Sequence, residues 1–191
     1  MIRSVFWRPL DEIGLEHLWF ERTPDWLRAD GFVLQTKHGV PFRLQYRIET
    51  APDWTMRSCA IAVENHAGVH RRLELQVNDR GEWRDAATEQ ELPQLAGCRE
   101  VDIQVTPFTN SLPIGRLKLR PGETQDILAA YIEVPELVVL PAPQRYSALA
   151  ENLFRYEGLQ TAFAAELPLD ADGLVLDYPG VFMRVNCPFA D

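Results

Sequence analysis

Lysine is almost absent from this 191-residue chain, although acidic residues are common. Lys37 and Lys118 are its only lysines, and the arginines are scattered rather than clustered. The formal net charge is −9 and the isoelectric point is near 5.0. Nucleic acids and anionic membrane surfaces are bound through clustered lysine and arginine side chains. The composition therefore argues against both as main partners.

Cysteine and long apolar runs are also scarce. Cys59, Cys98 and Cys187 are odd in number and far apart, which supports neither a disulfide framework nor a CxxC metal knuckle. The N-terminal segment becomes charged too early for a signal peptide, and no apolar run is long enough to span a bilayer. We therefore expect a protein of the reducing cytoplasm with no transmembrane segment, no metal and no cofactor.

Strict alternation of apolar and polar residues is the clearest pattern in the chain. Phe42, Leu44, Tyr46 and Ile48 alternate with polar residues, as in a strand with one buried face and one wet face. Sheets of this kind are usually antiparallel. Similar runs recur between turn residues, and no βαβ alternation is visible. The pattern predicts one all-β domain over residues 1–191, built as a sandwich, a barrel or a rolled sheet.

The alternation breaks inside the segment 100–117. Val101, Ile103 and Val105 lie on one face of a predicted strand, and Pro107 and Pro113 then bracket a polar and aromatic stretch. A proline lacks the backbone donor that a central strand needs. The break therefore predicts a corner of the sheet or the rim of a site.

The segment 127–152 is harder to assign from its sequence. The apolar run 127–134 fits a buried strand or a short helix, and its β-branched residues favour the strand. Pro141 and Pro143 predict an edge strand or a crossover between residues 138 and 145. The small and polar residues 146–152 predict one or two turns of helix.

Histidine and serine provide no convincing catalytic or metal-binding motif. His66 and His70 have the i, i+4 spacing of a metal pair, but Gly68 disfavours the helix that this pairing needs. His17 fits a half-buried structural histidine better than a general base. The serines at 58, 111 and 147 lack a nucleophile elbow. The sequence predicts no catalytic residue and no metal site.

The end of the chain combines aromatic residues with scattered cations and acids. A buried core on one face and solvated charges on the other explain most of this pattern. The same residues also fit a concave apolar surface with a polar rim, which suits an amphiphile. Burying ten methylene groups would contribute about 8 kcal/mol before the entropic costs of binding. The aromatic members are Phe154, Tyr156, Phe163, Tyr178 and Phe182.

Several segments carry a family resemblance that covers nearly the whole chain. The most specific are TPFTNSLPI (106–114) and DGLVLDYPG (172–180), supported by VPFRLQYRIE (40–49), QRYSAL (144–149) and FRYEGL (154–159). They resemble a bacterial family, formerly a domain of unknown function, whose members are named putative glycolipid-binding proteins. The resemblance implies a single-domain β-roll or half-barrel. Such a fold is a strongly curved antiparallel sheet with one or two short helices, similar to periplasmic lipoprotein carriers.

The first functional hypothesis is a non-catalytic protein that holds a glycolipid or another amphiphile in an apolar cavity of the curved sheet. A second hypothesis is a hydrolase or isomerase that uses Glu157, Asp177 and Tyr178 as acid-base groups. A third is an interaction module that pairs through sheet edges. For the first hypothesis, the expected ligand-binding residues are Thr106, Phe108, Thr109, Asn110, Arg145, Tyr146, Arg155, Tyr156 and Tyr178.

Overall fold

The computed structural model describes residues 2–66 and 68–186, which form two sheets. One is a large antiparallel sheet and the other is a curled half-barrel, so the all-β prediction is confirmed. The ten strands of the large sheet are β1 (Ile2–Pro9), β2 (Gly14–Arg22), β3 (Leu27–Lys37), β4 (Val40–Thr50), β5 (Met56–Asn65), β6 (His70–Val77), β7 (Trp83–Asp85), β8 (Gln90–Glu91), β14 (Asp177–Tyr178) and β15 (Phe182–Val185). Their order is β14-β15-β1-β2-β3-β4-β5-β6-β7-β8.

The second sheet has the order β13-β12-β11-β10-β9 and follows β8 in the chain. Helical segments are short: two 3₁₀ helices, Pro93–Leu95 and Phe108–Asn110, and one α-helix, α1 (Ser111–Leu117). None of the described helices is long and apolar enough to cross a membrane. The strands of this sheet are β9 (Glu100–Ile103), β10 (Thr124–Ile132), β11 (Val139–Ala150), β12 (Leu153–Gly158) and β13 (Phe163–Pro168).

The alternating pattern of β4 is observed as predicted. Phe42, Leu44, Tyr46 and Ile48 are buried in the hydrophobic core, and the polar residues between them are exposed or half-buried. In β2 the buried residues are Glu16, Leu18 and Phe20, so Leu15, His17 and Trp19 lie on the outer face. The sheet therefore places a carboxylate inside and several apolar side chains outside.

The segment bracketed by the two prolines proves to be a crossover. β9 and β10 pair in parallel, and parallel neighbours need a connection of roughly a dozen residues or more. The 3₁₀ helix and α1 supply that connection, so the chain contains one βαβ unit that the sequence pattern does not reveal. The helix ends at Leu117 and is followed by Lys118, whose φ of 50° is the left-handed conformation found at helix C-termini.

The predicted helical turns at 146–152 are wrong, because residues up to Ala150 belong to β11. This strand is central, yet its prolines are tolerated for a local reason. β12 ends at Gly158, opposite Gln144, so residues 139–143 have only β10 as a sheet partner. Pro141 and Pro143 thus lie on a stretch with one free side, where a missing donor breaks no ladder. The predicted strand before them is confirmed as β10.

The buried residues form two clusters that meet at the crossover. Phe108 and Leu112 belong to the cluster under the large sheet, whereas Ile114 belongs to the cluster of the second sheet. Cys59 and Cys98 are buried free thiols in the first cluster, and Cys187 lies outside the described residues. Since one short segment contacts both clusters, a single cooperative domain stays our prediction for the whole chain.

Position 31 requires glycine because the side chain of Tyr46 lies across β3 at this point, on the inner face of the large sheet. Gly31 lies in β3 between Leu18 of β2 and Tyr46 of β4. A Cβ on Gly31 would lie 2.0 Å from Cε1 and 2.1 Å from Cζ of Tyr46. The tyrosine ring therefore occupies the space on the inner side of Gly31. From there the Tyr46 hydroxyl reaches the buried Glu16 of β2, at 2.5 Å.

We expect Gly31→Ala to destabilise the protein by about 1–3 kcal/mol, the usual cost of overpacking a core. The free energy of unfolding from urea denaturation measures this effect. In a Tyr46→Ala background the ring is gone, so the same Gly31→Ala change should cost much less. An equal cost in both backgrounds would contradict the proposed fit between the glycine and the tyrosine ring.

Candidate functional site

A buried carboxylate connects the large sheet to the crossover. Tyr46 donates a hydrogen bond of 2.5 Å to Oε1 of Glu16, and Thr106 donates one of 2.7 Å to the same atom. The hydroxyl of Thr106 also accepts a bond from the backbone N–H of Phe108. Burial raises the pKa of Glu16 from 4.5 to about 7, although the two side-chain hydrogen bonds lower it. Glu16 therefore titrates near neutral pH.

A second group of buried polar side chains lies around Asp102. Its carboxylate accepts hydrogen bonds from Thr109 at 3.0 Å and from Gln144 at 2.6 Å. The pKa of Asp102 is raised overall, because the effect of burial is larger than the opposite effect of these two hydrogen bonds. Tyr146 donates a 3.0 Å hydrogen bond to Oδ1 of Asn110. The predicted residues Thr109, Asn110 and Tyr146 are thus bonded within the protein interior.

Phe108 packs in the core rather than at an opening. Its ring lies 6.0 Å from that of Phe20 and 6.4 Å from that of Tyr46. The space among Phe20, Trp54, Phe108 and Leu112 is too tight to admit a water molecule. This part of the predicted set supports the fold directly.

The predicted tyrosines Tyr156 and Tyr178 belong to a chain of aromatic rings. Tyr156 is half-buried, and its ring lies 5.5 Å from that of Tyr146 and 6.1 Å from that of Tyr178. Burial raises the pKa values of both hydroxyls, so they stay protonated at neutral pH. Of the five aromatic residues at the end of the chain, Phe154, Tyr178 and Phe182 are buried as the core interpretation predicts, whereas Phe163 is exposed.

The predicted arginines lie in surface ion pairs. Arg145 forms a two-point pair with Asp126, at 2.6 and 2.9 Å, and Arg155 lies 3.6 Å from Glu157. Arg145 and Tyr146 are adjacent in β11, so their side chains point to opposite faces. The structure therefore distributes the nine predicted residues over the interior, the aromatic chain and the surface. Their role in ligand binding stays a prediction.

The groups named for the hydrolase hypothesis do not assemble. Among the described residues, no hydrogen bond joins any two of Glu157, Asp177 and Tyr178. Asp177 instead accepts a bond from the backbone N–H of Arg184, and Glu157 pairs with Arg155. No group of three or more metal-ligating side chains occurs in the described part either, and His70 lies in a strand rather than a helix.

The large sheet carries a surface groove on its outer face at one end of β2 and β3. We call it the apolar groove. Its volume is about 640 Å³, and the aliphatic side chains Leu15 and Leu34 of the neighbouring strands lie exposed in it. Its apolar lining consists of Ile13, Leu15, Leu34, Pro41 and Phe42.

A second groove continues along the same two strands. We call it the polar groove, and its volume is about 630 Å³. Trp19 and Phe32 supply exposed rings to it, and Tyr46, whose side chain lies on the inner face, belongs to its floor. Leu15 and Leu34 line the apolar groove, and His17 and Phe32, each two residues further along the same strand, line the polar groove. Residues two apart in a strand share a face, so the two grooves are neighbours on the outer face. Its polar lining consists of His17, Asp30, Gln45, Arg47, Arg72 and Glu74.

Several contacts fix the side chains of the polar groove. Nε of Arg47 donates a 2.6 Å hydrogen bond to Asp30. The imidazole of His17 stacks on Phe6 at 4.4 Å, and its Nε2 lies 2.7 Å from the hydroxyl of Ser4. Partial burial lowers the pKa of His17, so its ring is neutral at pH 7. The half-buried position predicted for His17 is observed.

The sequence contains a signal for these grooves. An antiparallel strand with one wet face should carry polar residues on that face. In β2 and β3 four of the outer positions instead hold apolar residues, among polar ones such as His17 and Asp30: Leu15, Trp19, Phe32 and Leu34. These apolar residues set the outer face of β2 and β3 apart from an ordinary wet face.

The buried Glu16 generates a testable pH dependence. Between about pH 4.5 and 7 the unfolded chain releases this proton while the folded protein keeps it, so stability falls as pH rises through that window and levels off above it. A shift of this size corresponds to about 3 kcal/mol. Glu16→Gln cannot titrate, so its stability relative to wild type should rise by up to that amount from pH 4.5 to 7. Urea denaturation over a pH series measures this, and parallel curves for the two proteins would refute it.

Comparison with known proteins agrees with this fold. A family model described as "Putative glycolipid-binding" matches residues 4–184. The crystal structure of a DUF1089 family protein from Pseudomonas aeruginosa matches with a TM-score of 0.80 and 37% sequence identity, covering 90% of this chain and 92% of that chain. No curated protein matches. With nearly its whole length matched, this chain belongs to the family described as "Putative glycolipid-binding".

Proposed function

We propose that this protein binds an amphiphilic lipid, a glycolipid by class, without chemical change, and that the lipid chain lies in the apolar groove. The observation that carries the proposal is the exposed aliphatic lining on the outer face of the large sheet. Isolated exposed aliphatic residues are ordinary, whereas Ile13, Leu15 and Leu34 are exposed together in one groove, as at a binding surface. The groove volume of about 640 Å³ lies within the usual range of small-molecule sites.

The occupant is an acyl chain rather than a protein partner because of what adjoins the groove. Its apolar lining continues directly into a groove of mixed charge and hydrogen-bonding groups. An amphiphile has this same division between chain and headgroup. Each methylene group removed from water contributes about 0.8 kcal/mol to binding. Burial of a chain of ten or more methylene groups can therefore drive binding by itself, and no chemical step is needed.

The family supports the glycolipid class. The matching model carries a glycolipid-binding description over residues 4–184. The residues predicted from the sequence connect to this proposal through Tyr46. Thr106 and Tyr46 donate to the same oxygen of Glu16, and Tyr46 lines the polar groove. In this proposal Thr106 holds the rear wall of the site rather than the ligand.

We expect Leu34→Asp to weaken lipid binding by about tenfold or more, because a charged carboxylate would stand in the path of the acyl chain. Equilibrium titration with a nitrobenzoxadiazole-labelled stearic acid measures the affinity. Leu149→Asp is the matched control, since Leu149 is 44% exposed on the second sheet and Leu34 is 47% exposed in the groove.

The control should bind as wild type does, and both variants should unfold at similar urea concentrations. Failure of the wild-type protein to bind the labelled lipid would argue against the proposal. So would an equal loss of affinity in the two variants, because binding would then not be localised to the apolar groove.

A further inference from the structure

We propose that the polar groove is the headgroup subsite and that it takes an uncharged saccharide. This inference rests on the proposed function, because a chain held in the apolar groove delivers its headgroup to the neighbouring one. Four residues of an antiparallel strand span about 13 Å, so the path from Leu15 to Trp19 along β2 joins the two grooves over the length of a short amphiphile.

Two exposed rings give the polar groove its stacking surface. Trp19 is 58% exposed and Phe32 is 36% exposed, and both project from the outer face of adjacent strands. A sugar ring has a C–H face that packs on such a ring, while its hydroxyl groups stay free at the edge. Aromatic side chains supply large contact area at a small cost in conformational entropy.

The polar lining offers donors and acceptors together. Asp30 and Arg47 form an ion pair that still leaves further guanidinium N–H groups and carboxylate lone pairs for a ligand. Gln45 adds both a donor and an acceptor from the same strand as Arg47. Hydroxyl groups both donate and accept, so a polyol can use every one of these groups.

The charge of the polar groove selects against an ionic headgroup. Its lining contains two guanidinium groups, those of Arg47 and Arg72, and two carboxylates, those of Asp30 and Glu74. These charges balance, and His17 adds none at pH 7. A phosphate needs clustered cations without matching acids, and a quaternary ammonium beside Trp19 would be repelled by the two guanidinium groups. An uncharged saccharide fits the balance.

The floor of the polar groove is formed by small residues. Gly31, Ala60 and Ala62 lie beneath the flanking rings and charged side chains. Ala60 and Ala62 alternate with buried residues of β5, so only their methyl groups face the groove. The floor is therefore low between Trp19 and Arg72, which leaves room for a ring between the aromatic wall and the charged wall.

Detergents with one chain and different headgroups test the inference. We would measure binding of dodecyl maltoside, dodecylphosphocholine and dodecyl phosphate by calorimetry, each below its micelle concentration. Trp19→Ala removes the stacking ring, and Trp26→Ala is the control because Trp26 is half-buried and lies outside both groove linings. Free maltose, studied by NMR titration, tests the headgroup without the chain.

We expect wild type and Trp26→Ala to bind the maltoside about tenfold more tightly than either phosphate detergent, the size expected of one good aromatic contact. Trp19→Ala should lose that preference and keep its affinity for dodecylphosphocholine. Maltose should shift the amide resonances of β2 to β4 in the wild-type protein. The Trp26→Ala control substitution should change these shifts only weakly.

Three contrary results are distinguishable. Equal affinity for the three detergents, or an equal loss of all three in Trp19→Ala, overturns the saccharide subsite and leaves the lipid-binding function standing. Maltose binding that depends on Trp19, with no gain from the dodecyl chain, supports the subsite and overturns the chain site. No binding of any detergent or of maltose overturns both.

Discussion

The hydrogen bonds that converge on Glu16 are the constraint around which the two sheets are arranged. Tyr46 can reach Glu16 only because β3 has no side chain at Gly31, and Thr106 can reach it only because the crossover begins at the end of β9. A buried carboxylate without a cationic partner is costly unless it is hydrogen-bonded or protonated. The raised pKa of Glu16 records that cost, and its two donors reduce it.

Much of the large sheet could be predicted from the alternation of residues, because a strand with one buried face leaves a period of two in the sequence. The strand containing Phe42 to Ile48 shows this best. The crossover could not be predicted in the same way, since the parallel pairing of β9 with β10 joins segments that share no local pattern. The helix expected at 146–152 failed because small residues such as Ala148 suit a helix and a crowded strand equally well.

The candidate site was harder to predict than the fold for a related reason. Thr106, Asn110 and Tyr146 are residue types that bind ligands, but the same types satisfy buried polar atoms inside a core. Sequence alone does not separate these two uses. The outer-face residues Trp19 and Leu34 carried a clearer signal, because they stand at strand positions that solvent would otherwise make polar.

The two faces of the large sheet are therefore not independent. Tyr46 belongs to the interior network through its hydroxyl and ring, and the strand positions of Tyr46 and Gly31 form part of the floor of the polar groove on the other face. Side chains in a close-packed core have little freedom to move separately. Hydrogen bonds that hold the Tyr46 side chain on the inner face therefore also fix the strand backbone that forms the floor of the groove. The TPFTNSLPI segment therefore influences a surface groove that it does not line, because its Thr106 shares the acceptor Glu16 with Tyr46.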